Sequence, residues 1–191
     1  MSRASRLVAL LLLLSGVLGC APSYVVANRP YRLAGQEIVS PVDWSVLQRF
    51  PVWVLTRDGP AFNLLVVADR LGPGRHLFSG ARRSEREGGA VVRPGLGWLD
   101  LPELFADALA GEGFVGVEPT GTPEPVSWRG RRALRFELRL ADEEGLAYRA
   151  LGVAALDERQ RLSYLLYLAP AEHFFERDRP AVEAILGGAG G

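Results

Sequence analysis

"ALRFELRL", residues 133–140, alternates without a break: Leu134, Phe136, Leu138 and Leu140 fall on one side, Arg135, Glu137 and Arg139 on the other. A period of two is the signature of a strand with one buried face. The polar turn "ADEEG" leads from it into "LAYRALGVAAL" (146–156), and "DERQR" leads into "LSYLLYLA" (162–169). Short polar turns between such runs predict antiparallel hairpins. The polar alternation fades from the first strand to the third, which predicts a sheet whose middle is covered on both faces.

The covers can be read on either side. Residues 100–111 read as a helix with Asp100 as N-cap, Glu103 three positions on, and Gly111 as the stop. Its apolar stripe is Leu101, Leu104, Phe105, Ala108 and Leu109. A second cover is expected from Phe174, Phe175, Val182, Ile185 and Leu186, with Pro180 breaking it or starting a turn. Upstream, "PVWVL" and "FNLLVVADRL" read as strands around the Asp58-Gly59-Pro60 turn, and "FVGVEP" (114–119) as another. The order is strands, helix, four strands, helix. It predicts an α+β fold, an antiparallel β-sheet flanked by helices on both faces.

The N-terminus carries an address. Arg3 and Arg6 precede the apolar run Leu7–Leu18, and Val17-Leu18-Gly19 leads to Cys20, the only cysteine in the chain. The run is shorter than the roughly 20 residues of a spanning helix, so it reads as an export signal. The residues before Cys20 resemble the bacterial lipobox. That resemblance implies cleavage before Cys20, a diacylglycerol on its sulfur and an N-acyl chain. One acyl chain holds a protein to a membrane only marginally, and two or more hold it stably. A plain secretory signal with a free Cys20, or an ordinary buried helix, are the alternatives. Ala21, in place of an acidic residue, implies an outer-membrane destination in a Gram-negative host.

The expected organisation is a signal peptide over 1–19, the lipidated cysteine and a tether over 20–36, and one domain over 37–191. A flexible tether of that length spans roughly 20–25 Å. The polar, glycine-rich stretch 79–97 reads as a mobile surface loop.

Composition narrows the function. Apolar residues make up 48% and charged residues 23%, as in an ordinary packed globule. Signal removal takes two of the 22 basic residues and none of the 22 acidic ones, leaving a slightly acidic chain. That balance argues against nucleic acid as a partner. Every basic residue is arginine, so lysine Schiff-base chemistry and a P-loop lysine are excluded. One cysteine permits neither an internal disulfide nor a thiol-based zinc site.

No motif here specifies a reaction. His76, Ser79 and Asp69 form the closest approach to a nucleophile set, but "HLFSG" is not a nucleophile elbow, and a surface histidine in a strand is the simpler reading. His173 and Glu176 stand at i and i+3, two ligands where a metal needs three or four, so no metal and no cofactor is expected. The glycine pairs at 72–74 and 95–97 read as turns. Arg129, Arg131, Arg132, Arg135 and Arg139 follow Trp128 and suggest a binding patch for phosphate or lipid headgroups, completed by Trp98 in the long loop. Neutralisation by Glu137 and nearby acids is the competing reading. Trp44 and Trp53 read as core and rim packing.

The stretches "LTRDGPAFNLL" (55–65), "LPELFADALAGEGF" (101–114), "WRGRRALRFELRLADEEGLAYRALGVAAL" (128–156) and "LYLAPAEHFFE" (166–176) resemble bacterial lipoproteins of the PsbP-like fold. The photosystem II extrinsic subunit and a eukaryotic Ran-GTPase-binding protein share that fold. The resemblance implies an antiparallel sheet between helices and a binding or assembly role without chemistry. The calcium and manganese role of the photosystem member does not carry over, because no matching ligand cluster is present. The function expected is therefore a lipid-anchored, non-catalytic envelope lipoprotein that binds a partner or assists assembly. It would be held at the outer membrane through Cys20 and face the periplasm. The alternative is a periplasmic small-ligand carrier or hydrolase with a pocket between sheet and helix.

Overall fold

The computed structural model describes residues 24–48, 51–79 and 89–187. The signal segment, Cys20 and residues 80–88 of the long loop lie outside these described residues.

The alternating stretch lies in strand β8 (Arg131–Ala141). Its four apolar residues are all buried. It pairs antiparallel with β9 (Ala147–Leu156), which pairs with β10 (Leu162–Pro170). All nine residues of β10 are buried, as the fading alternation predicts. On the far side β10 meets β6 (Leu64–Leu71), followed by β5 (Val52–Thr56), β4 (Trp44–Gln48) and β1 (Tyr24–Val25). β7 (Val115–Trp128) closes the other edge beside β8. The expected strand at 114–119 thus runs to residue 128. Two register shifts interrupt its pairing with β8, and Pro119 and Pro125 offer no N–H, devices that blunt a free edge.

The first helix, α1 (Leu101–Ala110), buries the stripe read from sequence. Its start differs from expectation. An N-cap side chain bonds the N–H of the second or third helical residue, and here the second is Pro102, which has none. The Asp100 carboxylate accepts instead from the Gly97 N–H, 2.9 Å away, closing a 3-10 turn over Trp98–Asp100. The second helix, α2 (Glu176–Gly187), continues through Pro180. As the fifth residue, Pro180 forgoes only the first internal hydrogen bond, so the helix survives it.

Two buried clusters follow the strand period. One joins Leu134, Phe136 and Leu138 of β8 and Tyr164 and Leu166 of β10 to Leu104, Phe105 and Leu109 of α1. Phe105 stands 5.1 Å from the Phe136 ring and 4.9 Å from Tyr164. Gly152 of β9 sits beneath Phe136, where a Cβ would meet the ring at 2.5 Å. The other cluster joins Leu151, Val153, Leu165 and Tyr167 to Phe175, Val182 and Ile185 at the C-terminal end.

That second cluster also holds Val25, Leu33 and Ile38. Residues 24–36 are therefore no free tether. β1 joins the main sheet, and β2 (Pro30–Leu33) and β3 (Gln36–Val39) form a hairpin on it. Polar residues hide this from a hydrophobicity reading, because Gln36 and Ser40 occupy inward positions. Their side chains are tied down: Gln36 Nε2 donates to the Ala68 carbonyl at 2.9 Å, and Ser40 Oγ accepts from Trp44 Nε1 at 3.0 Å. The stretch read as a mobile loop is also partly anchored, with Val92 and Leu96 buried and Val91 bridged to His76.

Candidate functional site

Three left-handed backbone devices converge at one end of the sheet. The β2–β3 hairpin turns through Ala34 and Gly35, with φ of +50° and +74°. The β7–β8 hairpin turns through Arg129 and Gly130, with φ of +54° and +69°. Positive φ at both central residues marks type I′ turns, whose twist matches that of the strands they join. Between the turns lies a β-bulge: Leu71 pairs with Leu162 and Ala68 with Tyr164, so Asp69 and Arg70 face the single residue Ser163. Arg70 takes φ of +52° there. Bulges re-aim side chains and recur beside functional sites.

The devices surround a cleft of about 350 Å³ whose lining includes Arg32, Gln36, Arg70, Trp128, Arg129 and Arg131. Gly35 presses close enough to the bulge that a Cβ would lie 3.2 Å from Asp69 Oδ2. Through Arg32, Gly35, Asp69 and Arg70 the cleft continues into a second hollow of about 600 Å³, walled by Pro51 and Trp53.

Positive charge is in excess. Four arginines line the cleft against two acids, Asp69 and Glu37. Asp69 serves two of them at once, 3.0 Å from Arg70 and 3.7 Å from Arg131, and accepts the Ser163 hydroxyl at 2.8 Å. Ser163 Oγ in turn accepts from the Arg70 N–H and from Arg131 Nη1, both at 3.1 Å. Arg129 donates to the Glu37 carbonyl at 2.7 Å and lies 5.1 Å from the centre of the Trp128 ring. Burial pushes the Arg129 guanidinium below its ordinary pKa, against the pull of Asp69 and Glu37. Three buried polar atoms around the cleft have no hydrogen-bond partner among the described residues: Trp128 Nε1, Arg129 Nε and Gln36 Oε1. Buried polar atoms are nearly always paired in folded proteins.

The arginine patch read from sequence is divided by the strand period. Trp128, Arg129 and Arg131 reach the cleft. Arg132, one residue on, stacks with its guanidinium carbon 4.0 Å from the centre of the Trp98 ring. Arg135 is paired with Glu124 and Glu183, and Arg139 with Glu118. Glu137, expected to neutralise the patch, accepts instead from Arg149 and Arg179 at 2.7 and 2.6 Å. Arg32 and Arg70 were missed because they lie far away in sequence.

The histidine readings change as well. His76 is buried, not a surface residue. Asp69 is engaged by Ser163, Arg70 and Arg131 in the cleft. His173 precedes α2 with φ of +59°, so it shares no helix face with Glu176, which pairs with Arg149. Among the described residues no group of three or more His, Cys, Asp or Glu side chains is placed to hold a metal.

One hub had no sequence signal. Asp178, fully buried, accepts from Arg57 (2.7 Å), Tyr167 (2.9 Å), Asn63 (3.0 Å) and Arg177 (2.7 Å). Burial alone would raise its pKa, but the donors outweigh it and hold the carboxyl below the usual range. Burial, and after it the same carboxylate, push the Tyr167 phenol up. Its partners lie up to 121 positions away, which no local pattern reveals.

Between α1 and the sheet lies an apolar crevice of about 140 Å³ beside Leu109, Phe114 and Leu166. No described helix is long and apolar enough to cross a membrane.

No family model and no curated protein matches the chain. Among solved structures, it is similar to LpqN of Mycobacterium tuberculosis, described as involved in cell envelope biogenesis. The alignment covers 90% of this chain and 84% of that one, at 10% identity and a TM-score of 0.36. A likeness that distant assigns the chain to no family and carries no argument about its activity.

Proposed function

We propose that this chain is a lipid-anchored, non-catalytic protein of the cell envelope that acts as a binding or assembly factor. Its mature form begins at Cys20 and stands at the outer membrane facing the periplasm. The domain is read as an antiparallel sheet held between helices, after the PsbP-like pattern. The observation that carries this reading is the N-terminal order: Arg3 and Arg6, the apolar run, then Gly19-Cys20.

Covalent reach adds to it. The first sheet residue, Tyr24, comes four positions after Cys20. Fully extended, four residues span at most about 14 Å. An acylated Cys20 therefore holds the domain against the bilayer, not at the end of a long tether. Tyr24, Val26 and Leu47, close to that attachment, are exposed at 52%, 44% and 49%. A tyrosine and short aliphatics suit the headgroup boundary.

The test is crosslinking in intact cells, with mass spectrometry of what copurifies, on the native chain beside Cys20→Ala. The reading expects an acylated native chain and an envelope partner captured only by the anchored form. Absence of acylation at Cys20 sinks the anchor. Recovery of the native chain alone sinks the assembly role.

A small-ligand carrier is the second reading, and the arginine-lined cleft with its unpaired polar atoms favours it. That cleft lies between hairpin turns, whereas the carrier was expected to hold its ligand between sheet and helix.

A further inference from the structure

We propose that the cleft between the Ala34-Gly35 and Arg129-Gly130 turns binds a phosphate ester, with Arg32, Arg70 and Arg131 taking the phosphate oxygens. The assignment deepens the reading of this domain as a binding module and is independent of its anchor.

The charge count comes first. Four guanidinium groups face two carboxyl groups, and Asp69 alone balances both Arg70 and Arg131. Each guanidinium offers five N–H donors. Arg70 spends Nε on Asp69, and Arg131 spends Nη1 on Ser163 and Asp69. The side chain of Arg32, exposed on β2, makes no hydrogen bond or ion pair among the described residues. The surplus donors call for an anion.

The number of donors selects the anion. A carboxylate has two oxygens and is satisfied by one arginine fork, whereas a phosphate group presents three or more to several forks at once. The cleft volume of about 350 Å³ also exceeds what a bare phosphate fills. An attached organic group has two places to go. Gln36 Oε1 is a buried acceptor without a donor, suited to a hydroxyl. Beyond it, Pro51 and Trp53 wall the adjoining hollow and offer apolar surface.

The site is prearranged by backbone. Arg70 and Arg129 both hold left-handed conformations that are uncommon outside glycine and asparagine. The bulge and the Ser163 bonds aim Arg70, and the I′ turn aims Arg129. Strain of this kind is retained where surrounding structure over-determines it, and it concentrates at ligand clamps.

Glycerol 3-phosphate, with its hydroxyls, and pyrophosphate are the soluble probes; phosphatidylglycerol vesicles are the lipid probe, with phosphatidylcholine vesicles as the neutral control. Titration calorimetry uses the full-length chain in detergent, with acetate as the carboxylate comparison, and the vesicles are tested by co-flotation. The expected result is binding of at least one phosphate probe, tighter than acetate and weakened by salt. Arg32→Gln and Arg131→Gln should each weaken it about tenfold or more, as loss of a charge-assisted contact does. Arg139→Gln, an exposed pair partner outside the cleft, should leave it unchanged. Binding by glycerol 3-phosphate assigns a free phosphate ester, and binding by pyrophosphate alone overturns the ester; binding by phosphatidylglycerol vesicles alone, lost in Arg32→Gln, assigns a headgroup. The proposal is overturned if no phosphate probe outcompetes acetate, or if Arg32→Gln binds as the native chain does. Should Arg131→Gln fail to fold, Arg32→Gln still decides, since that exposed side chain holds no hydrogen bond or ion pair among the described residues. A partner captured in cells together with a cleft that ignores phosphate would remove this inference and leave the assembly role standing.

Discussion

The two ends of the sheet are built on different physics. At the β8–β9–β10 end, side chains alternate cleanly along β8, pairing is nearly regular, and the Phe105, Phe136 and Tyr164 rings interlock over Gly152. At the cleft end, two left-handed turns and a bulge gather arginines around one aspartate, with polar atoms left unpaired. The first end spends its sequence on stability. The second holds strained backbone and surplus charge that a stable fold alone does not require.

That contrast can be broken by measurement, beginning where the effect is largest. Phe105→Ala should destabilise the chain by about 3–5 kcal/mol, the cost of an aromatic cavity in a filled core, read by urea unfolding. A loss below about 1 kcal/mol would mean that the packed end does not carry the fold.

Asp178 ties α2 to the β5–β6 turn through Arg57 and Asn63 and to β10 through Tyr167. Asp178→Ala leaves those donors without their acceptor and should cost about 2–3 kcal/mol. The pH profile sharpens the attribution. The folded carboxyl has a depressed pKa, so its stabilisation is complete above the unfolded value of about 3.9 and is lost as pH falls towards the folded value. Asp58, held low chiefly by Arg177, behaves the same way. Asp178→Asn should therefore be less stable at pH 7 yet show a shallower loss below pH 4; an unchanged acid slope would assign that slope to other groups.

Gly152→Ala should cost about 1–3 kcal/mol by overpacking against Phe136, since a Cβ would meet the ring at 2.5 Å and Leu166 at 3.1 Å. Ala34→Gly at the cleft end should do the reverse and stabilise by about 0.5 kcal/mol, because glycine takes positive φ without steric cost. A destabilising Ala34→Gly would show that the turn is not strained. Arg139→Gln should change stability by less than about 0.5 kcal/mol, as befits an exposed ion pair.

Legibility divides along the same line. The strand from 133 to 140, its two hairpin partners and the stripe of α1 could all be read, because each pattern repeats within a few residues. The hairpin at 30–39 could not: Gln36 and Ser40 stand where apolar residues were awaited, so a packed segment looked like a tether. The arginine cluster was visible as composition, yet its division was not. Only Trp128, Arg129 and Arg131 of the seven candidates reach the cleft, while Arg132 turns to Trp98 and Arg135 to Glu183.

From the sequence alone came the expectation of an address at Cys20, the element order and the faces of the central strands, since signal layout and periods of 2 and 3.6 are local properties of a chain. The cleft belongs to the tertiary structure. It exists because β6 pairs with β10 one residue out of step, setting Asp69 beside Ser163 across 94 positions, and because two distant hairpins turn toward that bulge. Register over such separations is decided by how the whole sheet packs, and no short stretch of residues encodes it.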